Sequence, residues 1–339
     1  MIKYIPFLRG KTGEFVALQN LDEEVLDVIC PLIQFLPDTN QKRAGNYLQK
    51  ISSELINAWN FDGNLIYFDT NYLKDMHFIA DLMRVLTDNG INLIPVIQPS
   101  SPEEYLNIVR DNHRDNGIGV RIQVGSYRPT DLISMLENVL NKFDIEISDI
   151  DLIIDLQYID NEANIDRYKR TFFRFYNALP NPLSVRRIIL SSGSFPVDVN
   201  EFRVNTISRI TRIEESLWRA VRHDIGKAPL VYGDYGNIHP IYNPEAKAFP
   251  GSCTLKYTSD QDFYIFRGVK ANKVEEGFEQ YHTKSKELIR SAIYDGRDFS
   301  WGDEQIYKCA KHEITSGNAG SWVKYTLNHH FLKVIKMLG

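Results

Sequence analysis

Leu65-Ile-Tyr-Phe-Asp69 is a run of four apolar residues closed by a single carboxylate, and its form returns along the chain. It recurs as Pro31-Leu-Ile-Gln34, Leu93-Ile-Pro-Val-Ile-Gln98, Val120-Arg-Ile-Gln123, Leu152-Ile-Ile-Asp155, Ile188-Ile-Leu-Ser191 and Leu230-Val-Tyr-Gly-Asp234, with residues 4–7 ahead of them all. Strands buried on both faces read as unbroken apolar runs, and their alternation with helix-length segments implies a parallel sheet joined by right-handed crossovers. Eight such units before residue 240 predict an α/β fold, a (β/α)8 TIM-like barrel. In that fold the loops after the strands build the functional face, so the polar strand ends mark where chemistry is expected.

The segments between the runs support this reading. Residues 45–59 carry Leu48, Ile51, Leu55 and Ile56 at helical spacing, and residues 76–86 repeat it with Ile79, Leu82 and Met83. Ser101-Pro-Glu-Glu104 has a capping serine, a proline at the first helical position and acids at the positive end of the dipole. Helices are further expected after residue 129 and over 164–177 and 208–221. The regularity breaks after Asp234, where residues 235–244 form a long glycine- and proline-marked loop. Beyond it, residues 253–258 and 263–269 read as a hairpin, followed by helices over about 275–292 and 321–337. The expected organisation is a barrel over 1–240 and a C-terminal α+β appendage over 241–339 packed on it.

Composition narrows the setting. A net charge of −5 offers no global attraction for polyanions, so nucleic acid is not a favoured partner. Cys30, Cys253 and Cys309 are odd in number and lack a CxxC pair, which argues against a disulfide framework or zinc site and for a reducing compartment. No signal-peptide h-region opens the chain and no apolar segment approaches membrane-spanning length, so a cytoplasmic protein without membrane contact is expected. No pattern specifies a cofactor, and the histidines 77, 113, 223, 239, 282 and 312 are scattered without a metal-binding spacing.

Several groups could carry chemistry. Arg9, Lys11 and Glu14 follow the first strand and suit an anion, or a salt bridge pinning that loop. Asp69 and Asp155 end strands, while Arg121 lies inside one and needs an acidic neighbour, for which Asp155 on the adjacent strand is the candidate. The pair would orient an oxyanion near the rim, or fill the barrel if lower. Asp234 and Tyr235 leave the eighth strand beside the seventh loop, Ser191-Ser-Gly-Ser194, whose amides with Ser192 and Ser194 form either an anion nest or an ordinary turn. Asp69, Asp155 and Asp234 are the acid/base candidates. Arg267 and Trp301 in the appendage would stack a base or simply pack. Of His329 and His330, about 100° apart on a helix, one is expected to dock at the barrel mouth with Asn328, His329 being the ligand candidate, and the other to be exposed.

The opening Tyr4-Ile-Pro-Phe-Leu-Arg-Gly-Lys-Thr-Gly-Glu14, together with Gly233-Asp-Tyr235, Trp301-Gly-Asp303, Trp322 and Asn328-His-His330, resembles the beta family of phage and bacterial proteins. The resemblance spans nearly the whole chain and implies a place in phage and mobile-element biology. It carries over no catalytic residue. Two functions therefore stand side by side: an enzyme binding a small phosphorylated or nucleotide-like ligand at the barrel mouth, or a non-catalytic barrel binding a phage or host protein, or nucleic acid, in phage–host conflict.

Overall fold

Each of the eight apolar runs is a strand in the computed structural model, which describes residues 1–38, 44–61, 63–112, 115–226, 228–244 and 252–339; His113 lies outside them. Strands β1 (Tyr4–Leu8), β2 (Leu32–Gln34), β3 (Leu65–Asp69), β4 (Asn92–Ile97), β5 (Ile118–Gln123), β6 (Ile150–Tyr158) and β7 (Arg187–Gly193) pair in parallel in chain order. A further strand between Leu230 and Asp234 pairs with both β7 and β1 and closes the barrel. The strands are buried on both sides because alternate residues serve two cores. Phe7, Leu32, Tyr67, Val96, Ile153, Ile189 and Val231 fill the lumen, while Leu8, Ile33, Phe68, Ile97, Ile122, Ile154, Leu190 and Tyr232 meet the outer helices. A Cβ at Gly233 would stand 3.1 Å from the Phe7 ring and 3.2 Å from Ile189, so the lumen takes Phe7 only because position 233 has no side chain.

The outer ring consists of α1 (Thr12–Gln19), the single-turn α2 (Glu23–Leu26), α3 (Ala44–Ala58), α4 (Met76–Asp88), α5 (Glu103–Asn112), α6 (Leu132–Phe143), α7 (Ile165–Tyr176) and α8 (Ile213–Ile225). The stripe expected on 76–86 is the one buried, with Ile79, Leu82, Met83 and Leu86 inside and Asp75 capping the helix through Phe78 N.

One expectation fails between β7 and α8. Residues expected to begin a helix at 208 instead belong to strand β8 (Thr206–Thr211), which is outside the barrel. The closing barrel strand is therefore β9 (Leu230–Asp234). Ile207 and Ile210 are three apart, which mimics helical spacing, but the segment finds its partner some fifty residues later in the chain. β8 pairs antiparallel with β11 (Asp262–Lys270), which pairs antiparallel with β10 (Ser252–Thr258), giving an upper sheet of order β10-β11-β8. Because β8 and β10 are inserted after the seventh and eighth barrel strands, this sheet lies on the face formed by the C-terminal ends of the strands.

Three helices complete the chain: α9 (Gln280–Ile289), shorter than expected, α10 (Trp301–Ala310) and α11 (Ala319–Leu338). Leu327, Phe331 and Val334 of α11 join the outer core of the barrel, and the Phe331 ring lies 6.3 Å from that of Tyr4. The last helix thus packs beside α1 and β1, where a helix following the eighth barrel strand belongs. Among the described residues no helix is long and apolar enough to cross a membrane. All three cysteines are buried thiols.

Candidate ligand-binding cleft

At the upper end of the lumen, strand alternation aims Gln34, Asp69, Arg121 and Asp155 inward, one turn of the pleat above the apolar layer. Arg121, 1% exposed, donates to Asp155 Oδ2 from Nε and Nη2 at 3.1 and 2.7 Å and to Asp69 Oδ2 from Nη1. With its amide turned so that both ends are satisfied, Gln34 accepts from the same guanidinium at 2.7 and 3.2 Å. Tyr235 accepts from Arg121 Nη2 at 3.0 Å and donates to Asp155 at 2.8 Å, and the Phe7 ring lies 5.4 Å below the guanidinium. Burial alone would weaken the charge on Arg121, but Tyr235, Asp155 and Asp69 hold its pKa well above the usual value. Burial, then Asp155, drives the Tyr235 hydroxyl up in turn. The Arg121–Asp155 pair expected from the sequence is present, and it belongs to a closed network.

A second polar network fastens α11 to the barrel. Asp234 Oδ2 accepts from His330 Nε2 at 3.0 Å, and Asp234 Oδ1 accepts from the Tyr4 hydroxyl at 2.7 Å and Gly236 N at 3.0 Å. The other His330 nitrogen, Nδ1, meets Thr258 Oγ1 at 2.9 Å. Burial lowers the His330 pKa against the pull of Asp234. For Asp234 burial acts upward, and His330, Arg212 and Tyr4 together more than reverse it, so the carboxyl sits below its ordinary value. These shifts describe an aspartate facing a neutral imidazole, with Nε2–H donating to the carboxylate and Nδ1 accepting from the threonine. His329 turns the other way, Nδ1 to Asp303 and Nε2 to the Thr258 carbonyl, both at 2.7 Å. Both histidines are fully buried, which corrects the expectation that one is exposed. Asn328 donates to the carbonyls of Ala17 and Asn20 and accepts from Gly302 N at 2.8 Å. Gly302 is glycine because α10 and α11 cross there: a Cβ would lie 2.0 Å from the Tyr325 carbonyl.

The open space lies beside these networks, between the barrel rim and the underside of the upper sheet. It is a cleft of about 1260 Å³. Arg9 and Lys11 reach it from the loop after β1, and Asn237, His239 and Tyr242 from the loop after β9. The sheet contributes through its alternation: Cys253, Leu255 and Tyr257 pack in the core shared with α9, α10 and α11, while Thr254, Lys256 and Arg267 face the cleft. Trp322, stacked on Tyr281 at 4.5 Å, lines its far end.

Lys50 pairs with Glu54 at 3.9 Å on the α3 side of the cleft, while three other cations bond to neutral acceptors. Arg9 Nη2 donates to the carbonyls of His239 and Pro240 at 2.6 and 3.1 Å, Arg267 to those of Asn200 and Phe202, and Lys256 to that of Asn237 at 2.8 Å. The Lys256 ammonium also lies 4.2 Å from the Phe195 ring centre. Burial, then the charge of Lys11, brings its pKa from 10.5 down to about 8. Burial likewise lowers Arg9.

Of the residues singled out from the sequence, Arg9, Lys11 and Arg267 line the cleft; Glu14, Asp69, Arg121, Asp155, Ser192, Ser194, Asp234, Tyr235, Trp301 and His329 do not. Glu14 accepts from the amides of Arg9 and Lys11 at 2.8 and 3.0 Å and so shapes their loop. The expected turn at 191–194 is also corrected. Ser191, Ser192 and Gly193 are still within β7, paired with β6 and β9, so no nest of free amides forms there. Ser194 instead bonds Glu214 and the Thr211 carbonyl. Trp301 packs edge-on against Tyr325 at 5.4 Å. Sequence reasoning missed Lys256, Asn237 and Trp322; the one available signal was the polar side of the alternation in Ser252-Cys-Thr-Leu-Lys-Tyr257. Among the described residues no group of three or more His, Cys, Asp or Glu side chains is placed to hold a metal ion.

Comparison with known proteins places the chain. It is 24% identical to Protein beta of Enterobacteria phage P4 over 356 aligned positions, which cover 98% of this chain and 93% of that protein. Among solved structures, the arginine decarboxylase of Paramecium bursaria Chlorella virus aligns with a TM-score of 0.38 and 14% identity over 69% of this chain and 58% of that one. Its agmatine-bound form gives 0.35 and 14% over 70% and 65%. The chain thus spans less than two thirds of these enzymes. The profile of the Beta protein family matches residues 4–336, so the chain belongs to that family.

Proposed function

We propose that the protein binds a phosphorylated or nucleotide-like ligand in the cleft between the barrel rim and the upper sheet. One observation carries this reading: among the described residues Arg9, Lys11, Lys256, Arg267 and Lys270 line the cleft with no carboxylate in salt-bridge range. An anion entering between cations held by carbonyls gains charge-assisted hydrogen bonds without breaking an ion pair. Tyr242 supplies aromatic surface for a base. On this reading Asp69, Asp155 and Asp234 hold the barrel and appendage together, because each is already matched to a buried partner.

Thermal-shift and calorimetric titrations with inorganic phosphate and ATP test the reading, since a ligand that binds only the folded state raises Tm with concentration. A rise that weakens in Lys256→Met and Arg9→Met supports it. No shift at millimolar ligand overturns it. A second reading, a non-catalytic surface for a phage or host protein, draws on the exposed Val197, Ile241 and Val323 along the same cleft. It gains if phosphate has no effect and substitution of Val197 and Ile241 by serine abolishes a protein interaction.

A further inference from the structure

Burial and the charge of Lys11 bring the Lys256 pKa down to about 8. Lys256 projects from the middle of β10 into the open space, with its nitrogen 4.2 Å from the Phe195 ring centre and bonded to a single neutral acceptor, the Asn237 carbonyl. The charged groups and the histidine that share the cleft with it are Lys11 and Arg9 from the first barrel loop, Asp38 after β2, Lys50 and Glu54 on α3, Asp198 after β7, His239 after β9, and Arg267 and Lys270 on the sheet. No carboxylate among the described residues locks it as an ammonium. Desolvation and a neighbouring cation are the two arrangements that turn a lysine into a nucleophile, and both act here.

We propose that Lys256 is a nucleophilic amine that forms an imine with the carbonyl carbon of an anionic aldehyde or keto acid, whose anionic group is held by Arg9 and Lys11. This rests on the anion-binding reading above and extends it to a reaction. The ammonium first gives up a proton; the neutral amine adds to the carbonyl carbon, a C–N bond forms, the carbonyl π pair moves to oxygen, and oxygen takes one proton from the nitrogen and, on leaving as water, the proton first released. Loss of water from the resulting carbinolamine leaves the iminium: the lysine ammonium and the carbonyl compound are consumed, and the iminium and one water are produced. No oxidant or reductant is required. The Asn237 carbonyl accepts the amine hydrogen and aims the nitrogen lone pair away from itself, and the Phe195 ring covers one side of the nitrogen.

The test treats the intact protein with pyruvate or glyoxylate and sodium cyanoborohydride, which traps an imine as a secondary amine, and maps the modified peptides by mass spectrometry. Propanal serves as the neutral carbonyl. The expected result is labelling of Lys256 at least about tenfold faster than exposed lysines such as Lys324, as an activated amine requires. Inorganic phosphate should slow it, and K256R, checked for a cooperative melt, should abolish it. Labelling no faster than at exposed lysines, while the phosphate thermal shift persists, overturns the imine and leaves the anion site standing. Absence of both label and shift removes the two together. Equal rates with propanal overturn the role given to Arg9 and Lys11.

Discussion

Two groups of cations lie in the upper half of this molecule and differ in what they bond to. Arg121 meets two carboxylates, a tyrosine and a glutamine inside the barrel, and the set is sealed at 0–1% exposure. Arg9, Lys256 and Arg267 meet backbone carbonyls along an open cleft. In the first group charge cancels internally, and the network ties strands across the lumen. In the second the charge is uncompensated. Cations close to one barrel rim thus differ in what they meet, and the contrast lies in the identity of the acceptor.

The largest effect that would sharpen this contrast is expected at Arg121. Arg121→Met leaves Asp69 and Asp155 buried without their cation and should cost about 3–5 kcal/mol, read as a lower urea midpoint at unchanged m-value. A loss within experimental error would break the comparison. Next comes the fastening of α11: His330→Phe strands Asp234 and Thr258 and should cost about 2–3 kcal/mol by the same measurement. The pair also sets a pH dependence. The folded His330 pKa lies below its unfolded value of about 6.5, so the unfolded chain binds the extra proton in acid, and stability drops as pH falls below about 6.5. Asp234 is depressed, so its contribution is present above its unfolded value and is lost as pH falls further, through the folded one. His330→Phe should remove the first of these two slopes in urea melts followed across pH.

In the cleft the expected effects are on ligands. Lys256→Met should weaken phosphate or ATP binding by about tenfold in calorimetry, the worth of one charge-assisted hydrogen bond, and change the urea midpoint little compared with Arg121→Met. Raising pH through about 8 should weaken wild-type binding in the same direction, because the lysine discharges. The smallest effect belongs to surface pairs such as Lys142–Glu103, where Lys142→Ala should stay within about 0.5 kcal/mol.

The barrel was legible because residues such as 152–155 are apolar on both faces, and only a sheet covered on two sides requires that. β8 was not, since Thr206–Thr211 lies at a sheet edge, is largely exposed, and takes its identity as a strand from β11. The strand-end aspartates were legible as to place. Their role was not, because it is set by partners from across the lumen and from α11, separated by 34 to 96 residues in sequence. Trp301-Gly-Asp303 and Asn328-His-His330 stood out as motifs, and their physical reason is a tight helix crossing and two buried imidazole bonds. Lys256 stayed hidden since one lysine in a hairpin looks like any other until Phe195 and Asn237 are brought beside it.

The interleaving of β8 has a consequence for synthesis. The ribosome delivers this strand about forty residues before either of its sheet-mates, so Ile207 and Ile210 must wait, unpaired, while the barrel's last strand emerges. Severing the polypeptide near residue 240 would divide that sheet between two fragments. Neither half should fold alone, and co-expression of the halves, not either one in isolation, is where soluble protein would be recovered.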